Sequence, residues 1–136
     1  MHIDQIFEML SWNNDEEIQC KGIEEAKKIK YLSVLIQPLE DHTVWENCAK
    51  VLASKSDEAL APYLIPLFKW LRDMNWPGAY IIYDRLKTIP AKDIEMPFTI
   101  SLSLAEKEND SLWKQALMDL KKDSKIRVKA GTWSNT

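Results

Sequence analysis

Two histidines, two cysteines and 21 carboxylates are the side chains of this chain that could move protons, attack a carbonyl or hold a metal. Their spacing argues against each of these chemistries. His2 stands at the start and His42 in the turn Asp41-His42-Thr43, and neither has a second histidine or a cysteine at metal-ligand spacing. Cys20 and Cys48 have apolar neighbours at helical spacing and read as small buried hydrophobes of a reducing compartment. No glycine-rich phosphate loop and no nucleophile elbow is present in the sequence. Glu16-Glu17 and Glu24-Glu25 read as solvated helix surface, and Asp84-Arg85 as an exposed ion pair worth under about 1 kcal/mol. No catalytic residue, metal or cofactor is assigned.

The most unusual chemistry is concentrated in Trp70-Leu-Arg-Asp-Met-Asn-Trp-Pro-Gly-Ala79, which joins two apolar helical stretches through a corner. One reading is architectural. Asp73 falls near a helix C-terminus, where the macrodipole disfavours a negative charge by about 0.3–1 kcal/mol. It would be compensated by accepting from the N–H groups of Gly78 and Ala79, or by Arg72 or Arg85. Asn75 suits a left-handed or capping conformation, Pro77 suits the first turn of the next helix, and Gly78 leaves room for a tryptophan or a facing helix. The other reading is functional: Trp76, Asp73 and Asn75 present an amphipathic face to a partner, tryptophan being enriched among interface hot spots.

Helices must position these groups, since three glycines and six prolines leave little turn material for a many-stranded sheet. Ile3, Ile6, Phe7 and Leu10 repeat at i, i+3, i+4 and i+7, a short first helix ended by Asn13-Asn14. Asn14 with Glu17 has the form of an N-cap pair for a second helix carrying Ile18, Cys20, Ile23, Ala26 and Ile29 inward. Gly22 weakens that helix by about 1 kcal/mol relative to alanine unless close packing needs the gap. Tyr31 to Ile36 is a helical turn or an extended connection. Thr43 with Glu46 is a second capping pattern, ahead of a stripe of Trp45, Cys48, Ala49 and Leu52.

Ser56 caps the next segment, read as a short turn to Ala61 and a main helix from near Pro62, kinked at Pro66. That helix is apolar nearly all round and is placed at the centre of the protein. Pro77 opens a helix with Ala79, Ile82, Tyr83, Leu86 and Ile89 on one face, stopping before Pro90. Residues 97–105 alternate like a strand, but a lone strand leaves its backbone unpaired, and Ile94, Phe98, Leu102 and Ala105 fit a helix, which is the assignment made. Asp110 caps a last helix bearing Leu112, Trp113, Ala116, Leu117 and Leu120. Trp45, Trp70 and Trp113 lie on apolar stripes and are placed in the core, Trp12 and Trp133 nearer the surface.

The net charge of −3 is too small to mark a dedicated nucleic-acid or membrane-surface protein, and its distribution says more. The first 25 residues hold seven carboxylates against Lys21, whereas Lys121, Lys122, Lys125, Arg127 and Lys129 face Asp123 near the other end. No signal peptide or membrane-spanning run is legible, so the chain is expected in the cytoplasm. The expected organisation is one helical domain over 1–124, followed by a flexible basic polar tail over 125–136.

The decapeptide at 70–79 resembles the hallmark of an uncharacterised bacterial family, domain of unknown function 5071, and Asp110-Ser-Leu-Trp-Lys114 with Leu117 and Leu120 is similar to its later motif. The resemblance implies a small helical domain related to the HEAT and armadillo class. It brings no activity and therefore no catalytic residue. The resulting expectation is an all-α, compact HEAT- or armadillo-like bundle of six or seven helices serving as a non-catalytic protein-interaction module. Its partner is a protein, of basic character if the acidic helices carry the contact through Glu16, Glu17, Glu24 and Glu25. A sharper form is an immunity-type protein that neutralises a toxin; the competing class is a small hydrolase-like enzyme with a site near the Asp73–Pro77 corner.

Overall fold

The caps and apolar stripes of the sequence resolve into helices joined by short turns in the computed structural model, which describes residues 1–124. In chain order these are α1 (Ile3–Leu10), α2 (Glu16–Ala26), α3 (Trp45–Ala53), α4 (Asp57–Leu60), α5 (Leu64–Lys69), α6 (Ala79–Leu86), α7 (Ala91–Lys107) and α8 (Ser111–Asp123). Single 3-10 turns occupy Leu32–Leu35, His42–Val44, Ala61–Tyr63 and Trp70–Arg72. Because α4 and α5 are joined through the Ala61–Tyr63 turn, they form one interrupted passage, and the described residues hold seven helices and no strand. The predicted 125–136 tail, with Trp133, lies outside the described residues.

Packing follows the chain order at both ends. Helix α1 packs on α2, α2 on α3 and α3 on α6, while α5 packs on α7, α7 on α8, and α8 against the Trp70–Arg72 turn. Trp70, Trp113, Phe68 and Phe98 are fully buried, with Phe68 edge-on to Phe98 at 5.8 Å between ring centroids. Each core indole finds a backbone acceptor, as a buried N–H must. Trp45 Nε1 donates to the Pro38 carbonyl at 2.6 Å, Trp70 Nε1 to Pro77 at 3.0 Å and Trp113 Nε1 to Phe68 at 2.9 Å. The three tryptophans thus join a loop, the corner and the central passage to the core.

Several local readings are corrected. Asp15, not Asn14, caps α2 by accepting from Ile18 N–H, while the Asn14 amide donates back to the Glu8, Met9 and Ser11 carbonyls and closes α1. Thr43 does not cap α3, which follows Val44 with no side-chain cap; Asp41 caps the His42–Val44 turn ahead of it by accepting from the Thr43 N–H, and the Thr43 hydroxyl bonds Asp41 and Ser11. The inward face of α2 is rotated, with Gly22 and Ala26 buried and Ile18 and Cys20 exposed. Gly22 causes this: a Cβ there would lie 2.8 Å from Met9 Cβ, so α2 turns its glycine to α1. Cys48 is buried as expected.

The central helix begins at Leu64, two residues past Pro62, leaving Pro66 inside its first turn. The next begins at Ala79, after Gly78 rather than at Pro77. Helix α7 runs unbroken through Pro97, held by the burial of Ile94, Phe98, Leu102 and Ala105, which supports the helical assignment of 97–105. Leu112 is exposed rather than part of the α8 stripe.

Candidate interaction site

At the corner, three of the residues singled out from sequence do come together, by a different set of bonds. The Asp73 carboxylate accepts from the Asn75 N–H at 2.9 Å, and the Asp73 carbonyl accepts from the Trp76 N–H at 3.0 Å. This is a side-chain-capped turn of the kind aspartate favours. The expected partners of Asp73 are committed elsewhere. The Ala79 N–H donates to the Trp76 carbonyl, Arg72 pairs with Glu108 and Asp110, and Arg85 pairs with Asp57. Asn75 does not take the left-handed conformation; Gly78 does, at φ +84°.

Gly78 opens onto both features that the sequence suggested, the facing helix and a tryptophan. A Cβ at this position would stand 2.7 Å from Ala49 Cβ, 3.0 Å from the Trp45 carbonyl and 3.2 Å from the Trp70 ring. Trp76 is half-buried and meets Trp45 edge-on at 5.8 Å. Trp45 also lies 6.0 Å from Trp70, so three indoles cluster where α3 meets the corner.

The remaining groups considered for acid–base work are similarly engaged. Asp84 pairs with Lys87 at 3.1 Å, not with Arg85. Arg85 is drawn inward, donating to the Ala53 and Lys55 carbonyls and to Asp57. His42 lies against Trp45, with 4.2 Å between ring centroids. Burial pushes the Cys48 thiol up to about 12, and burial with the neighbouring Asp123 raises the Tyr83 phenol above its ordinary range. Among the described residues, no three histidine, cysteine or carboxylate side chains are grouped to hold a metal. No described helix is long and apolar enough to cross a membrane.

The acidic candidates lie along α2. Glu16 and Glu17 are exposed in its first turn, where their charges complement the helix dipole. Glu24 and Glu25 sit about two turns further on and pair with Lys27 and Lys28 at 2.8 and 2.5 Å. The hydrogen bond from Lys28 holds the Glu25 carboxyl below its usual range. Of these two pairs, Glu16-Glu17 is the one without an ion-pair partner among the described residues.

Trp12 is exposed, as its place outside the apolar stripes implies, and it has apolar company at the same end that the sequence pattern does not mark. Ile3, Trp12, Ile18, Tyr31, Val34 and Leu39 are all exposed, Leu39 at 90 %. Ile3 and Ile18 lie on the apolar repeats of α1 and α2 yet stay exposed. Tyr31 and Val34 belong to an apolar run without a helical period, which was the available signal that not all of it could be buried.

Among the described residues the architecture defines an all-α protein. Residues 39–131 match the family described as "Domain of unknown function (DUF5071)", and the chain belongs to that family. The match takes in both the corner at 70–79 and the opening of α8, and it begins after α1, α2 and the Leu32–Leu35 turn. No solved structure matches the chain.

Proposed function

We propose that this protein is a non-catalytic protein-interaction module whose contact surface lies at its N-terminal end. The observation that carries the reading is the exposure there of Ile3, Trp12, Ile18, Tyr31, Val34 and Leu39 among the carboxylates of residues 1–41. Exposed apolar side chains cost solvation free energy until a partner covers them, and surrounding carboxylates favour a basic partner by steering its approach. The packing of α1 on α2, α2 on α3 and α7 on α8 is in keeping with a HEAT-like stack, a fold that by analogy offers surfaces rather than reactive groups. In its sharper form the module is an immunity-type protein that neutralises a basic toxin in the bacterial cytoplasm.

Affinity capture of the tagged chain from host extract, with quantitative mass spectrometry, tests the reading. A stoichiometric protein partner is expected, released as salt is raised and weakened by charge reversal at Glu16 and Glu17. Reversal at Glu24 and Glu25, already paired with lysines, should matter less. Failure to retain any protein in stoichiometric amount, from extracts grown under toxin-inducing and ordinary conditions alike, would contradict it.

A further inference from the structure

Helix α1 is apolar on two sides. Ile6 and Leu10 face the core, while Ile3 and Phe7, one turn apart, line an open groove of about 540 Å³. The opposite wall is the chain from Val34 to Val44, contributing Val34, Pro38 and Leu39. Trp45 Nε1 fixes that wall by donating to the Pro38 carbonyl, and Gln37 turns it with a left-handed φ of +45°. The groove is therefore held open by the core.

Among the described residues its rim is charged with one sign. Asp4 and Glu8 run along the α1 side, and Glu40 and Asp41 along the other, with no lysine or arginine among the described lining residues. Asp41 is partly committed to the Thr43 N–H and hydroxyl, while Glu8 and Glu40 are exposed. Asp4 and Glu8 are one turn apart, about 6 Å along the helix axis. That spacing matches lysines or arginines at i and i+4 of a facing helix whose apolar stripe enters the groove. A second copy presenting this face by two-fold symmetry would bring carboxylates against carboxylates.

We infer that the groove between α1 and residues 34–44 docks a basic amphipathic helix of a partner protein. This rests on the interaction-module reading and specifies its surface. Apolar side chains of the partner would cover Ile3, Phe7, Val34 and Leu39, and flanking cations would meet Asp4, Glu8, Glu40 and Asp41. Screening of those charges makes the docking salt-sensitive.

The test is NMR titration of the isotopically labelled full chain with a synthetic Leu/Lys peptide of about four helical turns, its leucines on one stripe. A peptide of the same composition in scrambled order serves as control. Shifts are expected at Ile3, Phe7, Val34, Leu39 and Val44, with affinity reduced at least about tenfold by Leu39→Ser and, separately, by Glu8→Lys with Glu40→Lys. All three positions are exposed, so the variants retain the fold, which their spectra check directly. Shifts centred on Glu16, Glu17, Glu24 and Glu25, equal binding of the scrambled peptide, or affinities within about twofold across the variants would overturn the inference.

Two other occupants would also overturn it. If reversing Lys125, Arg127 and Lys129 to glutamate raised affinity about tenfold, the chain's own C-terminal segment would be the occupant. If the wild type self-associated with rising concentration and Leu39→Ser did not, the occupant would be a second copy. Retention of a natural partner by the groove variants would remove this inference and leave the interaction module standing. Absence of any natural partner would remove the module itself.

Discussion

A methyl group at Gly78 would meet Ala49 Cβ at 2.7 Å and the Trp45 carbonyl at 3.0 Å, on a residue whose φ is +84°. Both the clash and the left-handed backbone act against any side chain there, and the backbone atoms of α3 cannot rotate away. Gly78→Ala should cost about 2–4 kcal/mol, seen as a lower urea midpoint at unchanged m-value. Ser101 poses the opposite case. It is fully buried in α7 and its hydroxyl has no hydrogen-bond partner among the described residues, so Ser101→Ala should raise stability by about 1 kcal/mol in the same assay. Cys48 gives a pH signature. Its folded-state value, pushed up by burial to about 12, means that the unfolded chain loses the thiol proton first as pH rises. Its contribution is fully present below the unfolded value of 9.0 and is lost between there and about 12, at up to about 1.4 kcal/mol per pH unit. A Cys48→Ala variant should lose stability less steeply over that window, and an equal slope would remove Cys48 as the cause.

At the scale of elements, Arg85 ties the end of α3 to the start of α4 from its place on α6. Its guanidinium donates to the Ala53 carbonyl at 3.2 Å, the Lys55 carbonyl at 2.8 Å and Asp57 at 2.7 Å. A lysine ammonium cannot span these three acceptors from one position. Arg85→Lys should therefore cost about 2–3 kcal/mol and speed hydrogen exchange of the turn over 54–57; protection equal to wild type would show the bonds to be dispensable. This interaction also marks the limit of what sequence could say. The helices were legible because caps and stripes are local: Ser56 and Asp110 cap as read, and Trp45, Trp70 and Trp113 are buried as read. Partners of Asp73 and Arg85 were misassigned because they depend on which turn faces which. Where candidate caps stand within two residues of each other, as Asn14 with Asp15 and Thr43 with Asp41, an offset of one or two residues decides which of them caps. Gly22 was read with the correct alternative, but the rotation it imposes on Ile18 and Cys20 follows only from α1 lying against it.

For the whole molecule, the matched family span takes in α3 to α8 with the corner, while α1 and α2 add an acidic, partly apolar end. The core there is complete: Ile6, Leu10, Ala26, Leu32 and Leu35 are buried, so the exposed Ile3, Val34 and Leu39 are surplus to folding. Surplus apolar surface bordered by carboxylates is the physical basis for assigning this end to a partner. The site was only half legible beforehand. Net acidity of the N-terminal segment could be counted, but the groove is made by α1 and a wall some thirty residues later, and no local pattern joins them.

The most direct test places a photoreactive amino acid at Leu39 of the full chain in its host cell, with Tyr80, exposed on α6, as the matched control position. Light should cross-link one protein from position 39 and not from position 80, through a peptide rich in lysine or arginine at helical spacing. Cross-links from position 80 alone, or from neither position while the chain is abundant and folded, would contradict the account.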